Sequence, residues 1–176
     1  MDVCEDKDQA RSNEFVTFLI FFRDCRNMND ALIISEKYFD LKKRDLEAFI
    51  EELRKQSSVT PVQVQDLLAR LKRLREVASE IESRAHQEVS TPEHKMATVR
   101  FYFLVQTVLG DDEGTMFDED IVSAGGEIMR ESLGYLQNIL KNINIEMTKP
   151  VEKRARWAED LRKLPTRKPP TIPISQ

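Results

Sequence analysis

Counting in sevens from Phe18 lands on Phe18, Cys25, Leu32, Phe39, Leu46 and Leu53, six apolar positions without interruption. A strand alternates with period two, so an apolar ladder of this spacing needs helix. The spacing predicts helix from about Ser12 to Lys55, either one long rod or two helices broken at the turn-prone Asn27–Asp30 stretch. The partner positions of a two-stranded coiled coil fail in the middle, where the polar Asn29, Glu36 and Lys43 fall. A bundle helix therefore fits better than an isolated rod.

The start of the ladder is unusual. Phe15 to Phe22 reads FVTFLIFF, in which only Thr17 is polar and four residues are phenylalanine. Eight apolar-rich residues are too few to cross a bilayer, which takes about 20. A helix that is apolar all round must be covered on more than one side. Either it is central to the chain's own bundle or another chain covers the remaining face.

Three more helices follow from caps and spacing. Thr60, Pro61 and Gln63 form a capping box with proline at the first helical position. Behind it run Val64, Leu67, Leu71, Leu74, Ala78, Ile81 and Ala85, with charge pairs such as Asp66/Arg70, Lys72/Glu76 and Glu80/Arg84 at i,i+4 spacing. Ser90–Glu93 (STPE) repeats the capping device, starting a helix that carries Phe101, Leu104, Val105 and Val108 and stops at Gly110. A further helix resumes near Asp118 and runs through Leu133, Leu136, Leu140 and Ile143 to Met147, interrupted at Gly125 and Gly126.

Residues from Pro150 to Leu164 suggest a short basic amphipathic helix with Val151, Ala155, Ala158 and Leu161 on one side. The last twelve residues hold four prolines, which argues for an extended tail. The expected organisation is a flexible acidic leader over 1–12, a helical bundle over 13–148, a basic helix over 149–164 and a disordered proline-rich tail over 165–176. The fold class is all-α: an elongated bundle of about five helices with a long N-terminal helix or helix pair. A third of the 176 residues are charged and only five are glycine, a balance that disfavours a hairpin-rich β-protein.

The residue types that could carry chemistry do not form a site in the sequence. Gly110–Asp120 holds six carboxylates in eleven residues, but no register through Asp111, Glu113, Gly114 and Asp118 supplies the ligand pattern of a calcium-binding EF-hand loop. Glu82 and His86 lie one turn apart, yet no Glu-x-x-His pair exists to build a di-metal centre. Neither His86 nor His94 has the neighbours of a nucleophile–base pair, and the glycines of AGGE follow no strand and precede no lysine. Cys4 and Cys25 read as two unpaired thiols of a reducing compartment, and the acidic N-terminus does not resemble a secretory signal. No catalytic residue, metal or cofactor is expected, and an intracellular location, cytoplasmic or nuclear, is.

What remains is interaction. Two helices carry apolar width beyond one stripe, and the candidate partner-binding residues are Phe15, Phe18, Leu19 and Phe22 in the first and Phe101, Leu104, Val105 and Val108 in the other. The expected function is a non-enzymatic adaptor or complex subunit, homo- or hetero-oligomeric. Arg167, Pro170 and Pro173 match the +-x-x-P-x-x-P pattern of an SH3-domain ligand. From Lys149 on, eight Lys/Arg stand against three Asp/Glu, a surplus of +5 in a chain of net −4, which leaves −9 for the residues before it. That asymmetry supports the alternative of a nucleic-acid-associated protein using the basic segment, aided by Arg70, Lys72, Arg73 and Arg75.

Overall fold

A computed structural model of the chain describes residues 3–87, 92–109, 126–154 and 157–158, with side chains described from Asn13 onward except at 28–29, 92, 94 and 126–129. Among them are five α-helices: α1 Val3–Asp24, α2 Met28–Lys55, α3 Pro61–Gln87, α4 Pro92–Leu109 and α5 Gly126–Met147, followed by a single 3₁₀ turn, Val151–Lys153. No strand occurs among the described residues. The all-α bundle expected from the spacing is the fold, and α2, at 28 residues, runs for about 40 Å at the rise of an α-helix.

The N-terminal ladder is two helices. Asn27 caps α2 from an extended conformation, its Oδ1 accepting the Asp30 amide at 2.9 Å. That bond satisfies one orphan donor of the new helix and ends the run of α1 at the turn-prone residues. The first helix begins at Val3, well ahead of the expected start near Ser12 and within the stretch expected to be a flexible leader. The ladder residues Phe18, Leu32, Phe39, Leu46 and Leu53 are all buried, and Cys25 is half-buried against the same core.

Helix α3 follows its caps closely. Thr60 N–H donates to Gln63 Oε1 at 3.1 Å and Gln63 N–H to Thr60 Oγ1 at 3.2 Å, the reciprocal pair of a capping box. Its buried face holds Val64, Leu67, Leu71, Leu74, Val77, Ala78, Ile81 and Ala85, and it packs most extensively on α4 and then α2. From α5, Leu133, Leu136, Ile139, Leu140 and Ile143 close the core against α2 and α4.

Charged residues on the inner side of α2 are paired rather than absent. Lys43 is fully buried, with its Nζ at 3.1 Å from Asp40 and 3.4 Å from Glu47. Asn144 of α5 donates to the same Glu47 carboxylate at 3.3 Å. Glu36 accepts from the Tyr102 hydroxyl at 3.2 Å and also holds the Arg154 guanidinium. A buried charge is tolerable only with such partners.

The start of the expected basic helix, Val151–Arg154, is not α-helical. It makes one 3₁₀ turn, and Arg154 then turns extended, donating from Nε to Lys149 O at 3.1 Å and from Nη2 to Met147 O at 3.2 Å. Arg154 thus satisfies the carbonyl at the end of α5 while pairing with Glu36. Trp157 and Ala158 are helical again, and Ala158 reaches the core. The residues following, like the Gly110–Asp120 acidic stretch, Gly125 and the Thr91 cap, lie outside the described residues.

Candidate interaction surface

Phe15 to Phe22 sits in an edge helix, not a central one. Its inward face is fastened by aromatic stacking: the Phe18 ring lies 4.1 Å, centroid to centroid, from Tyr38 of α2 at an interplanar angle of 8°, and 5.5 Å from Phe22. Arg73 of α3 places its guanidinium 3.9 Å from the centre of the Phe15 ring. Glu14 pairs with Lys42 of α2 at 3.0 Å, and Arg23 with Glu80 of α3 at 3.1 Å. Thus α1 bridges α2 and α3 along one side only.

Its other side is open and apolar. Val16, Ile20 and Phe21 are 50%, 56% and 63% exposed, and Thr17 lies among them at helical spacing. On α2, Ile33 and Leu41 are exposed to a similar extent. Where the two helices meet they leave an open groove of about 480 Å³. One wall is Glu14, Thr17, Phe18 and Phe21 of α1, and the other Ile34, Lys37, Tyr38 and Leu41 of α2.

The electrostatics of the groove are simple. The Tyr38 hydroxyl is buried without a hydrogen-bond partner among the described residues. Burial raises its pKa well above the usual tyrosine value, the Glu14 carboxylate adds to the rise, and Arg73 opposes it. Glu14 is occupied by Lys42. Lys37 is exposed and has no ion-pair partner among the described residues.

The residues singled out by sequence therefore divide. Phe18, Phe22, Phe101, Leu104, Val105 and Val108 are buried in the chain's own core, while Phe15 and Leu19 are half-buried against it. Of these eight only Phe18 also lines the groove; the others lie in or against the core. The accessible set is Val16, Ile20 and Phe21 on α1, each next to an expected residue in sequence, with Ile33, Ile34 and Leu41 on α2. Sequence reasoning missed them because a helix apolar all round gives no phase from which to tell its inside from its outside. A smaller exposed pair, Met96 and Phe103, marks α4.

Other candidate chemistry is also located. His86 Nε2 lies 3.8 Å from Glu82, and no group of three or more His, Cys, Asp or Glu side chains able to hold a metal ion occurs among the described residues. Of the cations a nucleic-acid interface would use, Arg70 is held by Asp45 at 2.6 Å and Asp66 at 3.3 Å, and Arg73 by Glu76 at 2.7 Å. Arg154 is 8% exposed and committed to Glu36. The SH3-type motif Arg167, Pro170 and Pro173 lies outside the described residues. No helix among the described residues is long and apolar enough to cross a membrane. No protein-family model, curated protein or solved structure matches the chain.

Proposed function

We propose that the chain is a non-enzymatic protein–protein interaction protein, an adaptor or subunit of an intracellular complex, that engages its partner through the open α1–α2 face. The observation that carries this reading is the contrast within one helix: Phe18 and Phe22 are buried while Val16, Ile20 and Phe21, beside them in sequence, are half or more exposed. Isolated apolar residues on a surface need no explanation, but an open groove walled by Phe18, Phe21, Ile34, Tyr38 and Leu41 supports an interaction site.

The test is affinity purification from cells with the wild-type chain and with Phe21→Glu, both confirmed folded by circular dichroism. A defined set of proteins should copurify with wild type and be lost with Phe21→Glu, and one of that set should bind the purified chain directly. An identical set from both versions would refute the assignment to this face.

A further inference from the structure

We infer that the α1–α2 groove receives one amphipathic helix of another protein, seated by three apolar side chains over two turns and by a carboxylate paired with Lys37. This rests on the reading of the chain as an interaction protein and names the chemistry of its partner.

Length comes first. The groove runs from Glu14 to Phe21 on one wall and from Ile34 to Leu41 on the other, which is about 10 Å, or two helical turns. An amphipathic helix presenting apolar residues at i, i+3 or i+4, and i+7 fills such a trough between two helices. Both walls are helical, so their backbone amides are already bonded and offer no edge for an added strand.

Charge then selects the occupant. The groove lining contains two ionisable side chains of opposite sign near neutral pH, and the acidic one, Glu14, is neutralised by Lys42. What the groove presents is one cation, Lys37, halfway along the α2 wall between Ile34 and Leu41 and without an ion-pair partner among the described residues. That position disfavours a second copy of this chain. An isologous pair with its two-fold axis through the groove would set Lys37 against its own symmetry mate, and like charges across an interface are penalised. A helix carrying Asp or Glu beside its apolar stripe instead gains a charge pair there and discriminates against basic competitors.

The experiment is selection from a displayed library of amphipathic helices about four turns long, panned on the full chain and counter-selected on Phe21→Glu. Peptides enriched on wild type should carry apolar residues at i, i+3 or i+4, and i+7 with an adjacent Asp or Glu. By fluorescence anisotropy the best of them should bind at least about tenfold more weakly to Lys37→Glu, and changing its acidic residue to Lys should restore binding to that variant. Failure to enrich any helix overturns the proposal. So does enrichment without an acidic preference, or indifference to Lys37→Glu, and either of these leaves the broader interaction reading standing. Sedimentation provides the other arm: a dimer of the wild-type chain that Phe21→Glu dissociates would assign the groove to a second copy and sink the inference.

Discussion

Arg84 of α3 reaches the end of α1 and donates from Nη1 to the carbonyl oxygen of Phe22 at 2.8 Å. The same guanidinium serves the carbonyls of Arg23 and Cys25 and lies 5.7 Å from the Phe22 ring centroid. The last carbonyls of a helix have no partner within it and carry the negative end of its dipole. One arginine thus supplies both the donors and the charge that the end of α1 lacks.

Arg84→Ala should therefore loosen α1 more than the rest of the bundle. The loss should be about 1–3 kcal/mol, the cost of stranding partly buried acceptors, measured by urea denaturation. Hydrogen exchange should show it concentrated at residues 15–27 rather than in α3. Arg84→Lys should recover little, since an ammonium cannot span several carbonyls in a planar fork.

Tyr102 governs behaviour in alkali. It is fully buried, and burial raises its phenol pKa well above the ordinary value, with the Glu36 carboxylate adding to the rise and Arg154 opposing it. Tyr38 is shifted the same way. A pKa raised on folding means that the protonated phenols stabilise the fold fully below the unfolded value of about 10 and lose that contribution as pH rises beyond it. Of the three tyrosines in the chain, at least these two should resist ionisation while the protein is folded. Tyrosinate absorbance should then climb in one step together with loss of helical circular dichroism. A smooth titration of all three in folded protein would contradict this.

Local chemistry was readable in advance and tertiary choice was not. The Thr60/Gln63 box and the α3 stripe depend on residues within a turn or two of each other, so spacing alone identifies them. Asn27 was recognisable as a break for the same reason. Lys43 has Asp40 and Glu47 within a turn of its own helix, but that it and Arg154 are interior was not recognisable, because Asn144 meets Glu47 and Arg154 meets Glu36 only once α2, α5 and the C-terminal segment are packed. The direction of the α1 face belongs to the same class: α2 and α3 decide it.

Lys43 offers a test of whether a buried charge aids stability. Lys43→Met keeps the apolar stem and removes the charge, while Asp40 and Glu47 remain about one-third exposed and can be hydrated. This change should be neutral or stabilising. The double variant Asp40→Asn, Glu47→Gln leaves the ammonium buried without a counter-charge and should cost about 3 kcal/mol. Chemical denaturation of both variants checks the contrast, and equal losses would show that the pairing contributes nothing specific.

Phe21 and Phe22 are adjacent in sequence and opposite in fate. Phe22 is 1% exposed and stacks in the core, so Phe22→Ala should destabilise by about 3–5 kcal/mol through a cavity beneath α1. Phe21 is 63% exposed, so Phe21→Ser should change stability by no more than about 0.5 kcal/mol. Binding should invert the order: Phe21→Ser removes contact area from the groove wall and weakens partner binding at unchanged fold, whereas Phe22→Ala acts on binding only as far as it unfolds α1. Thermal denaturation and partner affinity measured on the two variants separate these effects. A large stability loss on Phe21→Ser would mean that the chain itself covers this face, and the interaction surface would have to be sought elsewhere, beginning with Met96 and Phe103 of α4.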